Sequence, residues 1–426
     1  MQIKPYHKLI ASLIFAILVF FIVREALPKP KPMAIIMAFV LFFDVWIKYW
    51  TQTNKSQLPR RTCKIFLWIF YASIVYFVLM ILGFWLSPIA YWPPILRVYG
   101  YGLMLIFASI KIVLANVLFL QFLISKIRFT NKISSPKRWF QVGLCIAVFM
   151  FIITLYGSIY EKFALRVHQI EIRDKTVPKA FDGYKIVQFS DMHIGSQVSK
   201  RYVRKLVDSI NAQNPDLVVF TGDMVNFHTE EIIPFVELFS QIHAKDGVFV
   251  VLGNHDYSGY LRWERPPDSV DNILHLLHIY HSMGWNVLQN EHVWLHRGDD
   301  SIALVGVEMY SSKRTKRWKN IADTENALRG VCPSNFIVML SHNPQHFNEE
   351  LQLNFPHVNL TLTGHSHGGQ MAIRAFSIAR FAMKHWRGFH RFDDQYLNVC
   401  TGCGFNTLPF RINMPPSISV VTLSVL

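Results

Sequence analysis

The side chains best equipped for chemistry fall in five short runs: Asp191-Met192-His193, Gly222-Asp223, Gly253-Asn254-His255-Asp256, Ser341-His342-Asn343-Pro344 and Gly364-His365-Ser366-His367-Gly368-Gly369-Gln370. They offer carboxylate, imidazole and carboxamide groups and no thiolate. That set suits Mn²⁺, Fe, Zn²⁺ or Mg²⁺ and does not suit copper(I) or an iron–sulfur cluster. One cation takes three or four protein donors, whereas seven donors and a spare histidine are enough for two cations roughly 3.5 to 4 Å apart that share one carboxylate. Such a pair can deprotonate a water, grip a phosphoryl oxygen and neutralise the charge of an in-line displacement, so phosphoester hydrolysis is its natural use. Singly, an Asp-x-His or His-x-His is most often loop filler or a solvated turn. It is the five together that carry the reading.

The runs share a structural context. Apolar stretches rich in β-branched residues occur at Lys185 to Phe189, Leu217 to Phe220, Val248 to Leu252, Ile302 to Val307, Phe336 to Leu340 and Val358 to Leu362, with more at Tyr396 to Val399 and Ile418 to Leu423. These read as buried strands. Helical faces lie between them: Val203, Leu206, Val207 and Ile210 are one, and Ile273, Leu274, Leu277 and Met283 another that Gly284 would cap. Strands alternating with helices indicate a layered α/β domain over residues 161–426. Every chemical run sits just past the carboxyl end of a strand, the edge of an open α/β sheet where ligands bind, so the five are expected to converge.

In order, the motifs DMH, GDMVN, GNHDY, LSHNPQHF and GHSHGGQ resemble those of the calcineurin-like metallophosphoesterase superfamily. The likeness covers about residues 165–426. The ending Gly402-Cys403-Gly404-Phe405, Leu408-Pro409-Phe410-Arg411 and Pro415-Pro416-Ser417-Ile418 is similar to a bacterial branch of membrane-associated and exported phosphodiesterases. The resemblance implies a sandwich of two mixed sheets flanked by helices. It also implies two divalent metal ions: Asp191, His193 and His367 would hold one, Asn254, His342 and His365 the other, and Asp223 would bridge. His255 would serve catalysis by protonating the leaving oxygen or steadying the phosphate, and Asp256 would orient its imidazole. Glycines 222, 253 and 364 would allow the turns that aim these side chains inward. One departure is Asn226, where many relatives have Asp; it is not a ligand position.

The first part of the chain is different in kind. Residues 1–160 carry 17 Lys and Arg against only Glu25 and Asp44, so they account for the whole formal charge of +15, and the remainder is balanced at 26 against 26. A neutral second part is a poor trap for a phosphate backbone, which argues against nucleic acid as a partner. Five apolar segments, Leu9 to Val23, Met33 to Ile47, Ile65 to Leu86, Tyr99 to Ile124 and Trp139 to Ile159, read as membrane helices, the first two as a tight hairpin around Pro28, Pro30 and Pro32. The domains expected are thus a transmembrane helical block, 1–160, and the globular domain, 161–426. Lys48, Lys55, Arg60, Arg61 and Lys64 in one loop and Lys126, Arg128, Lys132, Lys137 and Arg138 in another mark the cytoplasmic side, which places the globular domain outside the cytoplasm. Asp44 and Lys111 lie within the spans. A pair tying two helices together accounts for them better than a transport site does.

Five scattered cysteines form no disulfide framework, and Cys400-Thr401-Gly402-Cys403 reads as small buried residues at a tight turn. His243, His275, His278, His281, His292, His296 and His357 lack any metal context and belong to surface or core. The segment Met371 to Met383 mixes Ile373, Phe376, Ile378 and Phe381 with Arg374 and Arg380. It is either a lid packed on the domain's core or a lip that admits a lipid carrying a phosphate. The expected partners are therefore a phosphorylated small molecule or lipid and the bilayer itself. From another class comes a membrane sensor or scaffold whose metal site is structural.

Overall fold

The computed structural model describes residues 31–426 apart from 88, 128–134, 197–198, 262, 264, 313–318, 374–375 and 407. The chain divides into two compact units, Met1–Leu155 and Tyr156–Leu426, a few residues ahead of the expected boundary.

The described part of the first unit is helical: α1 Lys31–Thr53, α2 Arg60–Leu86, α3 Tyr101–Ser125 and α4 Pro136–Ile159, whose last residues belong to the second unit. Among the described residues three stretches are long and apolar enough to cross a membrane: Arg60–Gly83, Leu96–Ser125 and Pro136–Phe163. Five spans are therefore not established. Leu9 to Val23 lies outside the described residues, and Met33 to Ile47 falls within α1, which is not one of the three. Lys111 on α3 meets Asp44 on α1 at 2.9 Å with both side chains buried, the helix-tying pair that a costly intramembrane charge requires. Trp46 Nε1 donates to the Ala115 carbonyl and Trp50 Nε1 to Gln121 Oε1, fastening the same two helices.

The second unit holds two six-stranded sheets. One contains β1 Arg166–Asp174, β2 Lys185–Phe189, β3 Leu217–Phe220, β4 Val248–Val250, β5 Trp285–Val287 and β12 Ser417–Val425, in the order β1-β12-β2-β3-β4-β5. The other contains β6 Glu291–Arg297, β7 Asp300–Gly306, β8 Ile337–Leu340, β9 Leu360–Thr363, β10 Gly388–Phe392 and β11 Gln395–Val399, in the order β10-β11-β9-β8-β7-β6. Both are mixed: β2, β3, β4 and β5 run parallel, as do β7, β8, β9 and β11, while β12 pairs antiparallel with β2 and the outer pairs β6·β7 and β10·β11 are antiparallel.

Strand alternation builds the layers. Leu217 and Val219 of β3 face Val338 and Leu340 of β8 in a shared core between the sheets, while Val218 and Phe220 face outward beneath helices α5, Lys200–Asn211, and α6, Pro266–Ser282. Ile337 and Met339 of β8 likewise turn toward a third core with Phe347 and Leu351. Helix α5 starts at Ser199, whose hydroxyl accepts the Tyr202 N–H, and buries Val203, Leu206, Val207 and Ile210 as expected. In α6 the expected face shifts: Leu276, Ile279, Tyr280 and Met283, themselves spaced i, i+3, i+4, i+7, are the buried face, Ile273 and Leu277 flank it partly buried, and Leu274 is exposed. Gly284 closes α6 with φ +76°.

Candidate active site

The edge at the carboxyl ends of β2, β3, β4, β8 and β9 gathers all five sequence runs. The backbone turns sharply to aim their side chains. Asp191, His193, Asp223, His365 and His367 all have φ between 41° and 69°, a left-handed conformation costing a non-glycine residue of order 1 kcal/mol. Strain of this kind persists where the surrounding structure enforces it and clusters at functional sites. Gly222 supplies the turn before Asp223 at φ +91°. Gly253 and Gly364 serve a different purpose from turning: a Cβ at the first would collide with the Asp223 carboxylate, and one at the second with that of Asp191.

Three groups of potential ligand atoms lie within 4.8 Å of one another: Asp191 with His193 and His367, His193 with Asp223 and His255, and Asp223 with His342 and His365. Asp223 is common to two groups. Its Oδ2 is 3.5 Å from His193 Nε2 and 3.2 Å from His342 Nε2, so one oxygen faces both halves of the site. In one half, His193 Nε2 and His367 Nε2 are 2.9 Å apart and His367 Nε2 is 3.5 Å from Asp191 Oδ1. In the other, His342 Nε2 lies 3.2 Å from Asn254 Oδ1 and 3.1 Å from His365 Nδ1. Tyr260 takes the Asn254 Nδ2 hydrogen at 2.8 Å, which leaves the amide oxygen facing inward.

These residues fit divalent cations, as the hydrogen bonds around His342 show. Its Nδ1 contacts the Thr221 carbonyl at 2.7 Å. A carbonyl only accepts, so Nδ1 carries the hydrogen and a neutral ring turns a bare Nε2 lone pair toward Asp223 Oδ2, Asn254 Oδ1 and His365 Nδ1. Converging lone pairs in a buried place call for positive charge. The electrostatics agree. Burial by itself would lower His342, but Asp223 and Asp191 outweigh it and push the imidazole up to about 9. Burial, reinforced by His342, takes His365 down to about 3, and burial with the neighbouring Asp223 charge raises Asp191 to about 7.

His255 stands beside this cluster. Its Nδ1 contacts the Asn226 carbonyl at 2.8 Å, its Nε2 contacts Asn406 Nδ2 at 3.0 Å, and its ring stacks on Tyr260 with centroids 4.0 Å apart. Asp256, expected to orient this imidazole, has another occupation. Its carboxylate accepts the backbone N–H groups of Gly253, Asp223 and Met224 at 2.8 Å each and of Val225 at 3.3 Å, because the turn from Gly253 folds the side chain back beneath the Asp223 loop. Asn226 thus contributes its carbonyl to His255, and its side-chain Nδ2 donates to Ser196.

Sequence reasoning assigned no chemistry to Tyr260, Asn406 or Arg411. Arg411 is fully buried and donates to the carbonyls of Thr401, Gly402, Gly404 and Met414, with its Nη2 3.5 Å from His367 Nδ1. Asn406 is held by Gln370, whose Oε1 accepts its N–H at 2.6 Å. The signal available was the Gly-rich and Pro-rich ending 402–416 itself, which marks a structured loop without saying what it touches. His243, His275, His278, His281, His292, His296 and His357 belong to none of the three groups. Cys400 and Cys403 are buried beside the Ser417 carbonyl.

Residues 184–369 match the family model described as calcineurin-like phosphoesterase. A "Transmembrane protein with metallophosphoesterase domain" from Danio rerio is 26% identical over 374 residues, covering 86% of this chain and 82% of its own length. An uncharacterized metallophosphoesterase of Aquifex aeolicus is 28% identical over 277 residues, 64% of this chain and 98% of its own. The uncharacterized metallophosphoesterase YkuE of Bacillus subtilis is 28% identical over 307 residues, 67% of this chain and 97% of its own. Residues 184–369 of the globular unit are thus a calcineurin-like phosphoesterase domain, of a family of metal-dependent hydrolases acting on phosphoesters, and the relatives named metallophosphoesterases support that assignment. A relative named as transmembrane and three apolar helices of its own mark the chain as a membrane protein.

Proposed function

We propose that this protein is a membrane-anchored phosphoesterase with two divalent metal ions, hydrolysing a phosphomonoester, phosphodiester or pyrophosphate outside the cytoplasm. The observation that carries the two-metal reading is Asp223 Oδ2, which faces His193 on one side and His342 on the other. Asp191, His193 and His367 would hold one ion, Asn254, His342 and His365 the second, with Asp223 between them; Mn, Fe, Zn and Mg all suit these donors. When bound, such ions supply Lewis acidity toward the phosphoryl group and a nucleophilic water at neutral pH.

The chain's own residues do the rest. His255, with Nδ1 donating to the Asn226 carbonyl and Nε2 accepting from Asn406 Nδ2, stands beside the cluster as the group to steady the phosphate or, once protonated at Nε2 in place of that contact, to pass a proton to the departing oxygen. Asn406 and the face of Tyr260 restrain that ring in one orientation. Asp256 keeps the Asp223 loop in its strained geometry. The basic loops before α2 and α4 support the placement outside the cytoplasm.

Hydrolysis of a soluble aryl phosphodiester by the full chain with Mn²⁺, alongside metal content, tests this. We expect two ions per chain in wild type, loss of hydrolysis in Asp223→Ala with fewer ions bound, and loss in His255→Ala with both ions retained. Activity surviving Asp223→Ala would refute the shared-carboxylate site. Wild type that binds metal without hydrolysing any phosphoester would favour the sensor reading.

A further inference from the structure

Beside the site lies a surface that the chemistry above does not use. Ile373 and Phe376 exchange backbone hydrogen bonds, and the short helical stretch Ala379–Ala382 follows. On these pieces Ile373 is 78% exposed, Phe376 48%, Ile378 72% and Phe381 74%, so the segment is not a lid packed on the core. The Phe376 and Phe381 rings meet edge to face at 5.8 Å, each other's neighbours on the same side. Four large apolar side chains displayed within nine residues make a patch of the kind that marks an interaction surface.

Its charge and attachment narrow the partner. Between Gln370 and Asp393 the sequence contains Arg374, Arg380, Lys384, Arg387 and Arg391 and no Asp or Glu. Apolar side chains interleaved with cations suit the headgroup and acyl boundary of an anionic bilayer, where each cation contributes about 1 kcal/mol. Trp386, with the Arg387 guanidinium 4.5 Å over its ring, is a residue type favoured at that boundary. A membrane is at hand, since β1 begins at Arg166 just after the apolar stretch that ends at Phe163. The base of the segment is bonded to the metal-ligand loop: Ser366, between His365 and His367, donates to the Trp386 carbonyl at 2.6 Å, and Ser377 donates to the Gly368 carbonyl.

We infer that residues 373–387 form a lip that docks on an anionic lipid surface and passes lipid-borne phosphoesters to the adjacent site. This rests on the phosphoesterase reading above and specifies its substrate as one embedded in the bilayer.

A nitroxide on Ile378→Cys in the full chain tests it, with the exposed Cys145 and Cys332 replaced by Ser. The control is the same label on Leu353→Cys, 73% exposed and outside the lip segment. In phosphatidylcholine vesicles containing phosphatidylglycerol, the label at 378 should collide more with oxygen than with a water-soluble nickel chelate, and that at 353 the reverse. Arg380→Glu with Lys384→Glu should weaken the difference. A label at 378 that matches 353 overturns the proposal, as does dipolar broadening that reveals a second copy covering the patch. Replacing Ile373, Phe376, Ile378 and Phe381 by Ser should lower kcat/KM on a vesicle-borne phosphodiester about tenfold or more relative to a soluble one, and equal losses would also overturn it. Wild type that hydrolyses neither ester would sink the enzymatic reading, an outcome separate from the depth of the label.

Discussion

Asp256 shows how a side chain's neighbours in sequence differ from its neighbours in space. A carboxylate directly after a histidine invites the reading of an acid steering an imidazole, yet Asp256 binds four backbone amides and leaves His255 to the Asn226 carbonyl and Asn406. Asp256→Ala should therefore act on stability and metal retention. Each buried N–H left without a partner costs about 1 to 3 kcal/mol, so a calorimetric loss of several kcal/mol is expected along with weaker metal binding. A stable variant impaired only in kcat would contradict that role. Asn406→Ala removes the restraint on His255 Nε2 and should slow turnover about 10- to 100-fold with melting and metal content nearly unchanged. Donor types were legible in the sequence because few residue kinds can hold a hard cation. Tyr260 and Asn406 were not, since nothing in a polar loop's composition says which ring it will touch.

At the level of elements, short continuous apolar runs rich in β-branched residues made eight strands readable, and Lys185–Phe189 and Leu217–Phe220 have the expected bounds. The strands left unread are β1, β5, β6 and β10. All four lie at sheet edges: β1, β6 and β10 leave most of their residues at least partly exposed, which removes the run of apolar residues that betrays a strand, and β5 is only three residues long. Layered α/β was within reach, but the division into two sheets was not: it depends on pairings such as Tyr396 with Leu360 and Ser419 with Gln188, which local pattern does not encode. The loop 401–414 is likewise organised from within by one cation, Arg411, with its donors spent on carbonyls. Replacing Arg411 by Met should strand those carbonyls and cost about 3 kcal/mol or more, and Lys should recover little because it lacks the planar fork. Thermal unfolding of the two variants checks this.

For the molecule as a whole, the metal site and the sandwich should be linked through folding. Binding to the native state alone at a metal concentration one hundred times Kd stabilises by about 2.7 kcal/mol, which should raise the globular unit's Tm by roughly 5 to 10 °C and vanish with a chelator. At the opposite end of the sandwich, Arg297 of β6 reaches Asp216 at 3.1 Å and Asp246 at 3.3 Å, tying one sheet to the other, while Lys245 also meets Asp216 at 2.7 Å. Burial would raise the Asp216 carboxyl, but Lys245, the Lys185 amide and Arg297 outweigh it and hold it below the usual range. A depressed carboxylate stabilises the fold above its unfolded pKa and loses that contribution as pH falls through the folded one. Asp216→Asn should thus cost about 2 kcal/mol near pH 7, with the gap from wild type closing below roughly pH 4. A gap constant with pH would discount the ion pairs. Finally, β12 lies between β1 and β2, joined in parallel to the first and antiparallel to the second. While the ribosome is still short of Ser417, the strand that belongs beside Ile186 and Val187 does not yet exist, so the nascent domain must wait with an open seam. Stalled chains ending before that point should be degraded quickly by added protease, and those extending well past Val425 should resist it.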